Sequence, residues 1–360
     1  MSIHFRKLVI KELKKETADC VSVLFEIPDA IRSDFAFKHG QSLTMRTFLN
    51  GEEVRRTYSI CSSPLDNEWR VAIKKQEGGL FSTFANDQLK EGDLLEVMPP
   101  VGKFYTELNS SNKKNYLAFA AGSGITPVIS IIKTTLRTEP NSQFTLVYGN
   151  RNKNSIIFKE ELEALKDKFI ERFRIIHILS RERTDAPINS GRIDLGKLNE
   201  LCKLINYQTV NEFFVCGPEE MIFCVKDFLE SISIDKRTIH FELFITPGEE
   251  TKTKVRREKS KTREPGAKSK ITVKLDGISF DFELGMNDLP ILDAALRQGA
   301  DLPFACKGGV CCTCKARLIQ GEVDMEVHWG LEEEEIEQGY ILTCQSHPKT
   351  ETVVVDFDIK

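Results

Sequence analysis

The sequence predicts a multidomain chain of class β + α/β + α+β: an antiparallel barrel, then an open parallel sheet with helices, then a small mixed sheet with one helix. Three observations predict it. Residues 1–108 consist of short strand-like runs separated by turn residues, the spacing of an antiparallel barrel. Residues 109–245 change to continuous apolar runs alternating with helical stretches, the rhythm of βα units. Beyond a polar, basic stretch at 246–270, residues 271–360 open with a hairpin and carry a closely spaced set of cysteines.

In the first segment the expected strands are 4–13, 21–26, 42–49, 57–61, 70–75 and 93–98. The run Arg55-Arg56-Thr57-Tyr58-Ser59 lies among them. Strand alternation puts Arg56 and Tyr58 on one face, with Thr57 and Ser59 on the other. A cation, an aromatic ring and hydroxyls suit a phosphate, a flat ring and a ring nitrogen. The plainer reading is an aromatic core strand. Further on, Gly78-Gly79 leads through Leu80 and Phe81 to Ser82 and a short helix. Backbone N–H groups bared at such a helix start accept phosphate.

In the second segment Tyr116–Ala121 reads as a buried parallel strand. It runs into Gly122-Ser123-Gly124-Ile125-Thr126-Pro127 and a helix at 128–136. Strand, glycine turn and helix make the half-unit that binds a nucleotide, although Pro127 replaces the last glycine of the full dinucleotide pattern. Strands are expected at 143–148, 174–179 and 212–216, and helices at 158–169 and 219–231. Pro218 stands at the start of the last helix, where its missing donor is not needed. The strand ends carry Gly149-Asn150-Arg151, Ser180-Arg181 and Cys216-Gly217. Ligands bind at the carboxyl ends of open α/β sheets, and the two arginines there suit an anion. Solvated surface arginine is the alternative.

Residues 246–270 hold almost no large apolar side chain and are expected to form a flexible linker, spanning roughly 25–30 Å as a coil. In the last segment Asp276-Gly277 marks a hairpin turn, a helix is expected at 287–298, strands at 315–319 and 352–357, and a short helix opened by the acidic run 332–335, where anions favour the N-terminal dipole. Between them, Cys306, Cys311 and Cys314 follow the pattern C-x4-C-x2-C, and 29 residues separate Cys314 from Cys344. This is the ligand spacing of a plant-type [2Fe–2S] cluster. A structural zinc site would show two C-x-x-C pairs or Cys/His pairs, and here only Cys311 and Cys314 form such a pair. Gly308 and Gly309 supply small residues where backbone must approach sulfur. Cys312 falls off the ligand spacing and reads as a spare thiol.

Composition sets further bounds. A hydrophobic share of 41% and a charged share of 29% over 360 residues fit a globular protein of two or three domains. No run approaches the roughly 20 apolar residues of a membrane span. No apolar leader opens the chain, and ten cysteines then point to a reducing, cytoplasmic setting with thiols free or bound to metal. The net charge of −4 gives no support to nucleic-acid binding. It conceals an asymmetry, because residues 271–360 hold 17 acidic and 7 basic side chains, while residues 246–270 hold 9 basic and 4 acidic ones. The acidic module either docks on positive surfaces or is simply solvated.

Taken in order, these motifs resemble those of the ferredoxin–NADP reductase superfamily with a plant-type ferredoxin fused at its C-terminus, over essentially the full length. Their arrangement is similar to that of the reductases of phenylacetyl-CoA ring-1,2-epoxidases. The resemblance implies an antiparallel FAD-binding β-barrel (1–108), a Rossmann-like NADP-binding parallel sheet (109–245) and a β-grasp ferredoxin (271–360). By resemblance Arg56 meets the flavin phosphates, Tyr58 packs on the isoalloxazine and Ser59 bonds near its N5. Gly79 and Ser82 match the second phosphate motif, and Gly122, Gly124 and Thr126 match the nicotinamide–pyrophosphate loop. Cys216 is placed near the nicotinamide C4, and Glu242 and Phe244 near the flavin. Ser180 and Arg181, with Arg151 as a second candidate, match the 2′-phosphate site and imply NADPH. Cys306, Cys311, Cys314 and Cys344 hold the [2Fe–2S] cluster. Cys312 departs from the small residue usual in relatives. Reductases of the phthalate dioxygenase type share the domain order and use FMN, but the flavin motif here favours FAD. The implied activity passes electrons from NADPH through FAD and the cluster to a di-iron oxygenase component acting on phenylacetyl-CoA. Another oxygenase or a hybrid-cluster protein is the alternative acceptor. A non-catalytic iron–sulfur carrier is a further alternative.

Overall fold

The structure is a computed structural model that describes residues 4–244, 267–286 and 288–359. It divides into two compact units, Met1–Phe244 and Ile245–Lys360. The first unit opens with β1 (Arg6–Thr17), β2 (Cys20–Glu26), β3 (Ser42–Leu49), β4 (Glu52–Ser59), β5 (Trp69–Lys74), helix α1 (Leu80–Asp87) and β6 (Leu94–Val97). These strands form an antiparallel sheet in the order β4-β3-β6-β1-β2-β5. A bridge between Ile60 and Val71, with Cys61 N–H donating to Arg70 O at 2.8 Å, joins β4 to β5 and closes the barrel.

The strand expected at 57–61 is longer in the structure and begins at Glu52. Asn50 and Gly51 both take positive φ, 54° and 83°, so a tight turn carries the pairing with β3 right up to the hairpin tip. The charged run Glu52–Arg56 hid this part of the strand. Inward side chains including Leu8, Val23, Leu43, Ile73 and Leu95 fill the barrel with Phe81 of α1.

The same unit continues with β7 (Asn115–Ala121), α2 (Ile125–Thr138), β8 (Gln143–Asn150), α3 (Lys159–Lys168), β9 (Phe173–Leu179), α4 (Leu195–Leu201), β10 (Glu212–Gly217), α5 (Glu219–Ser231) and β11 (Ile239–Leu243). The sheet is wholly parallel in the order β11-β10-β7-β8-β9. The order of strands reverses between β7 and β10, and ligands of doubly wound sheets bind beyond the carboxyl ends at such a reversal. Helix α2 starts at Ile125, earlier than the expected 128, because Pro127 fits a first turn that needs no donor from it. Its residues Ile125, Val128, Ile129 and Ile132 share one core with Ala118, Leu146 and the barrel residues Cys61, Ala72 and Phe104. Barrel and parallel sheet are therefore packed together by continuous apolar contact.

The second unit contains β12 (Lys268–Leu275), β13 (Ile278–Gly285), α6 (Ile291–Arg297), β14 (Lys315–Gln320), β15 (Val323–Met325), α7 (Glu333–Glu337), β16 (Tyr340–Leu342), β17 (Ser346–Pro348) and β18 (Thr352–Asp356). The main sheet runs β13-β12-β18-β14-β16, with β12 and β18 parallel, and β15 pairs with β17. At the β12–β13 turn, Asp276 and Gly277 take φ of 51° and 75°, as the hairpin signal requires. Helix α6 begins at Ile291 after Pro290, later than the expected 287, and Asn287 lies outside the described residues. Of the expected linker, residues 246–266 lie outside the described residues. Lys268–Lys270 belong to β12, where Ser269 is buried and the two lysines face out, so their polarity imitated a linker. Among the described residues no helix is long and apolar enough to cross a membrane.

Candidate functional site

At the reversal point of the parallel sheet, β7 ends in the turn Gly122–Gly124 and β10 ends in Cys216-Gly217. A side chain on Gly124 would place its Cβ 2.1 Å from the Cys216 carbonyl oxygen, so only glycine lets the two strand ends approach. Gly122 takes φ of 55°. Its carbonyl accepts from the buried Tyr148 hydroxyl at 3.0 Å. The Thr126 hydroxyl donates to Ser123 O at 3.0 Å, which shapes the turn from within and leaves that hydroxyl engaged. Lys74 of β5 puts its Nζ 4.0 Å from where a Cβ on Gly122 would lie. Neither Tyr148 nor Lys74 was legible as a site residue, because each reaches the turn from a strand distant in sequence.

Beside this turn three further residues meet. Cys216 and Glu242 are register partners on β10 and β11. Ser59, at the end of β4, donates from Oγ to Glu242 Oε2 at 2.9 Å across 183 residues of sequence. Burial pushes the Glu242 carboxyl up to about 7, against the opposing hydrogen bond from Ser59. Burial also raises the Cys216 thiol well above its ordinary range, so it stays a neutral thiol at physiological pH. Phe244 follows β11 and is 42% exposed.

On the other face of β4, Tyr58 lies against Phe81 with ring centroids 5.6 Å apart. Burial raises its hydroxyl above the usual phenol range. Arg56 is half-buried and donates to the neighbouring Arg55 carbonyl at 2.7 Å. No carboxylate pairs with it among the described residues, and desolvation lowers its pKa. A partly desolvated cation without an anion is the donor a phosphate needs. Helix α1 starts at Gly79 with no side chain capping its N–H groups. Ser82 Oγ accepts from Gln76 N at 3.1 Å and donates to Gly79 O at 3.3 Å. The hydroxyl thus braces the turn, and backbone N–H groups are what this motif presents. At the far end of the sheet, Arg181 N donates to Arg151 O at 2.8 Å and Ser180 N to Asn150 O at 2.9 Å. Arg151 and Arg181 are exposed and have no ion-pair partner among the described residues. Arg56, Tyr58 and the Gly79 turn fit a flavin phosphate and ring, and the turn at Gly122 with the two arginines fits a nucleotide.

In the second unit the cysteine loop joins α6 to β14. Gly309 has φ of 75°, and a Cβ there would lie 2.6 Å from Val327 O. Among the described residues no three His, Cys, Asp or Glu side chains gather as they would around a single metal ion. The thiols fall instead into two pairs, Cys306 with Cys311 and Cys314 with Cys344. Two pairs suit a two-iron centre held by four thiolates better than a single tetrahedral ion. Gly308 N donates to Cys306 Sγ at 3.3 Å, and Cys311 N donates to the same sulfur at 3.5 Å. The Cys311 thiol and these N–H groups hold the Cys306 thiol down, to about 6, against burial. The neighbouring sulfurs and burial push Cys311 and Cys314 up. Gln345 Nε2 donates to Lys307 O at 2.7 Å and ties the loop to the Cys344 side. Cys312 takes φ of 56°, and its Sγ contacts Gly330 O at 2.6 Å, apart from the two pairs.

Comparison with known proteins agrees with this division of labour. Three family models match: an oxidoreductase FAD-binding domain over residues 7–105, an oxidoreductase NAD-binding domain over 119–227 and a 2Fe-2S iron-sulfur cluster binding domain over 273–349. The chain is 45% identical over 357 residues to one of the subunits of the 1,2-phenylacetyl-CoA epoxidase of Escherichia coli strain K12, covering 99% of this chain and 98% of that protein. The chain belongs to the FAD-, NAD- and [2Fe–2S]-binding reductase family. A ferredoxin reductase component of 3-ketosteroid-9-alpha-monooxygenase from Rhodococcus rhodochrous is 32% identical over 97% of this chain and 96% of that one. Among solved structures, phthalate dioxygenase reductase matches with a TM-score of 0.57 at 25% identity, covering 98% of both chains. An intact self-sufficient cytochrome P450 monooxygenase shares the fold, with a TM-score of 0.69 at 20% identity over 98% of this chain and 41% of that one. This reductase is therefore an NAD(P)H-dependent oxidoreductase whose cofactors are FAD and a [2Fe–2S] cluster.

Proposed function

We propose that this reductase takes electrons from NADPH through FAD and the [2Fe–2S] cluster to the di-iron oxygenase component of a phenylacetyl-CoA epoxidase in phenylacetate degradation. The chemistry that a bound FAD would supply is conversion of a two-electron donor, NADPH, into the single electrons that an iron–sulfur cluster can take. The chain's own residues bind, orient and shield. Arg56 and the N–H groups after Gly79 hold flavin phosphates, Ser82 braces that turn and Tyr58 covers the ring. Ser59 presents a hydroxyl to the flavin, fixed by Glu242, which stays largely protonated below about pH 7. Cys216 lines the nicotinamide side, and Phe244 lies near the flavin. Gly122, Gly124 and Thr126 form the pyrophosphate turn, and Arg151, Ser180 and Arg181 receive the 2′-phosphate that selects NADPH over NADH. Cys306, Cys311, Cys314 and Cys344 ligate the two irons. We place the domain limits at 1–108, 109–245 and 271–360, with 246–270 as a basic linker, and the protein in the cytoplasm.

The observation that carries this reading is the meeting of Ser59, Cys216 and Glu242 beside the Gly122–Gly124 turn, in a chain that also pairs its four spaced cysteines. The identity to a phenylacetyl-CoA epoxidase component favours that oxygenase as acceptor. A second reading, service to a different oxygenase, is favoured by the similarity to reductase components of 3-ketosteroid and glycine betaine monooxygenases. The test combines the purified reductase with each purified oxygenase component, NADPH and its substrate, and follows oxygen consumption. Substrate-dependent turnover with the phenylacetyl-CoA epoxidase alone supports the first reading. Turnover only with another oxygenase selects the second.

A further inference from the structure

Three consecutive residues just past the flavin strand are held by one face of the helix that opens at the dinucleotide turn. Ser130 Oγ donates to Ser62 O at 2.6 Å. Ser63 Oγ takes the Leu65 N–H at 3.2 Å and lies 2.9 Å from Thr134 Oγ1, which donates in turn to Ser130 O at 2.7 Å. Lys133 Nζ reaches Cys61 O at 3.4 Å, and pairs with Asp66 at 3.8 Å and Glu161 at 2.5 Å. Arg137 pairs with Asp66 one turn further along. Ser130, Lys133, Thr134 and Arg137 recur at helical spacing, so this is a single stripe of α2. Ser130 and Ser63 are fully buried, and the Lys133 side chain is 14% exposed.

The placement matters because of what lies at each end. Ser62 is three residues beyond Ser59, and Ser130 is five residues, about 8 Å of helix rise, beyond the start of α2. Apolar packing between barrel and sheet is non-directional and tolerates sliding. Hydrogen bonds with restricted angles fix register. The stripe therefore locks the flavin strand and the nicotinamide turn onto one rigid element.

We propose that Ser130, Lys133 and Thr134 are positioning residues that set how closely the nicotinamide and flavin sites approach each other. This rests on the assignment of Ser59 to the flavin and of Gly122–Gly124 to the nucleotide. Misplacement of reacting groups by about 1 Å costs up to roughly a hundredfold in rate. Loosening the stripe slows transfer without removing any group that touches a cofactor.

The test uses the holoprotein with Ser130→Ala, Lys133→Met and the near-isosteric Thr134→Val, which keeps the packing volume if the other two fold poorly. Flavin content, the flavin difference spectrum induced by NADP+, the thermal midpoint, and KM and kcat for NADPH-dependent ferricyanide reduction are measured. Flavin content and KM are expected to stay within about twofold. The kcat is expected to fall roughly tenfold, and the difference spectrum to shrink in step. A lowered thermal midpoint with unchanged kcat and spectrum overturns the proposal and leaves the stripe a purely structural joint. Lys133→Arg, which keeps the cation, is expected to restore most of the spectrum, and failure to do so counts against Lys133. Absence of flavin, or of any NADP+ response, in the unaltered protein overturns the underlying assignment instead.

Discussion

Replacing Glu242 with Gln removes a titrating group while keeping an oxygen that accepts from Ser59 Oγ. The carboxyl rises from its ordinary 4.5 to about 7 because burial disfavours its charge. A raised carboxyl pKa means that the folded state binds the proton more tightly than the unfolded chain. Its penalty is absent below about pH 4.5, grows as the pH rises, and is complete above about pH 7. At 1.36 kcal/mol per unit the full penalty is about 3 kcal/mol. In a unit of this size that is roughly 5–10 °C of thermal midpoint. Glu242→Gln is thus expected to match the unaltered protein near pH 5 and to exceed it by several degrees at pH 8. Thermal unfolding of both holoproteins across this range measures it. Parallel profiles for the two proteins refute the argument that burial holds this carboxyl neutral.

Three other predictions concern the remaining parts. Cys306→Ser is expected to remove the visible iron–sulfur bands while leaving NADPH-dependent ferricyanide reduction at the flavin within about twofold; loss of both contradicts separate centres. Arg181→Ala is expected to raise KM for NADPH by tenfold or more with little change for NADH, and equal effects on both place the 2′-phosphate elsewhere. Raising salt from low ionic strength to about 0.5 M is expected to slow electron delivery to the oxygenase several-fold if the acidic module steers docking, whereas a flat response means its 17 acidic side chains are only solvated.

The legible parts of the sequence are those where local chemistry repeats a rule. The C-x4-C-x2-C spacing, the Asp276-Gly277 turn, the apolar run of β7 and the glycine turn after it each bind a few neighbouring residues to one geometry. Helix starts were displaced where proline decided the end: Pro127 sits inside α2, and Pro290 delays α6. The run Glu52–Arg56 hid the first half of β4 behind its charges, and Lys268–Lys270 hid the start of β12 in the same way. What sequence reading missed is long-range. Tyr148 reaching Gly122, Lys74 beside the same turn, and Ser130 holding the carbonyl of Ser62 join residues tens of positions apart. No periodicity or local motif records such contacts, because the first arises only when neighbouring strands of the parallel sheet pair, and the other two only when barrel and sheet pack together.

The most direct test measures iron and flavin in the freshly purified, anaerobically handled chain. The account predicts two irons and one FAD per polypeptide, with flavin and iron–sulfur bands together in the visible spectrum. A colourless protein that gains neither group on reconstitution contradicts it.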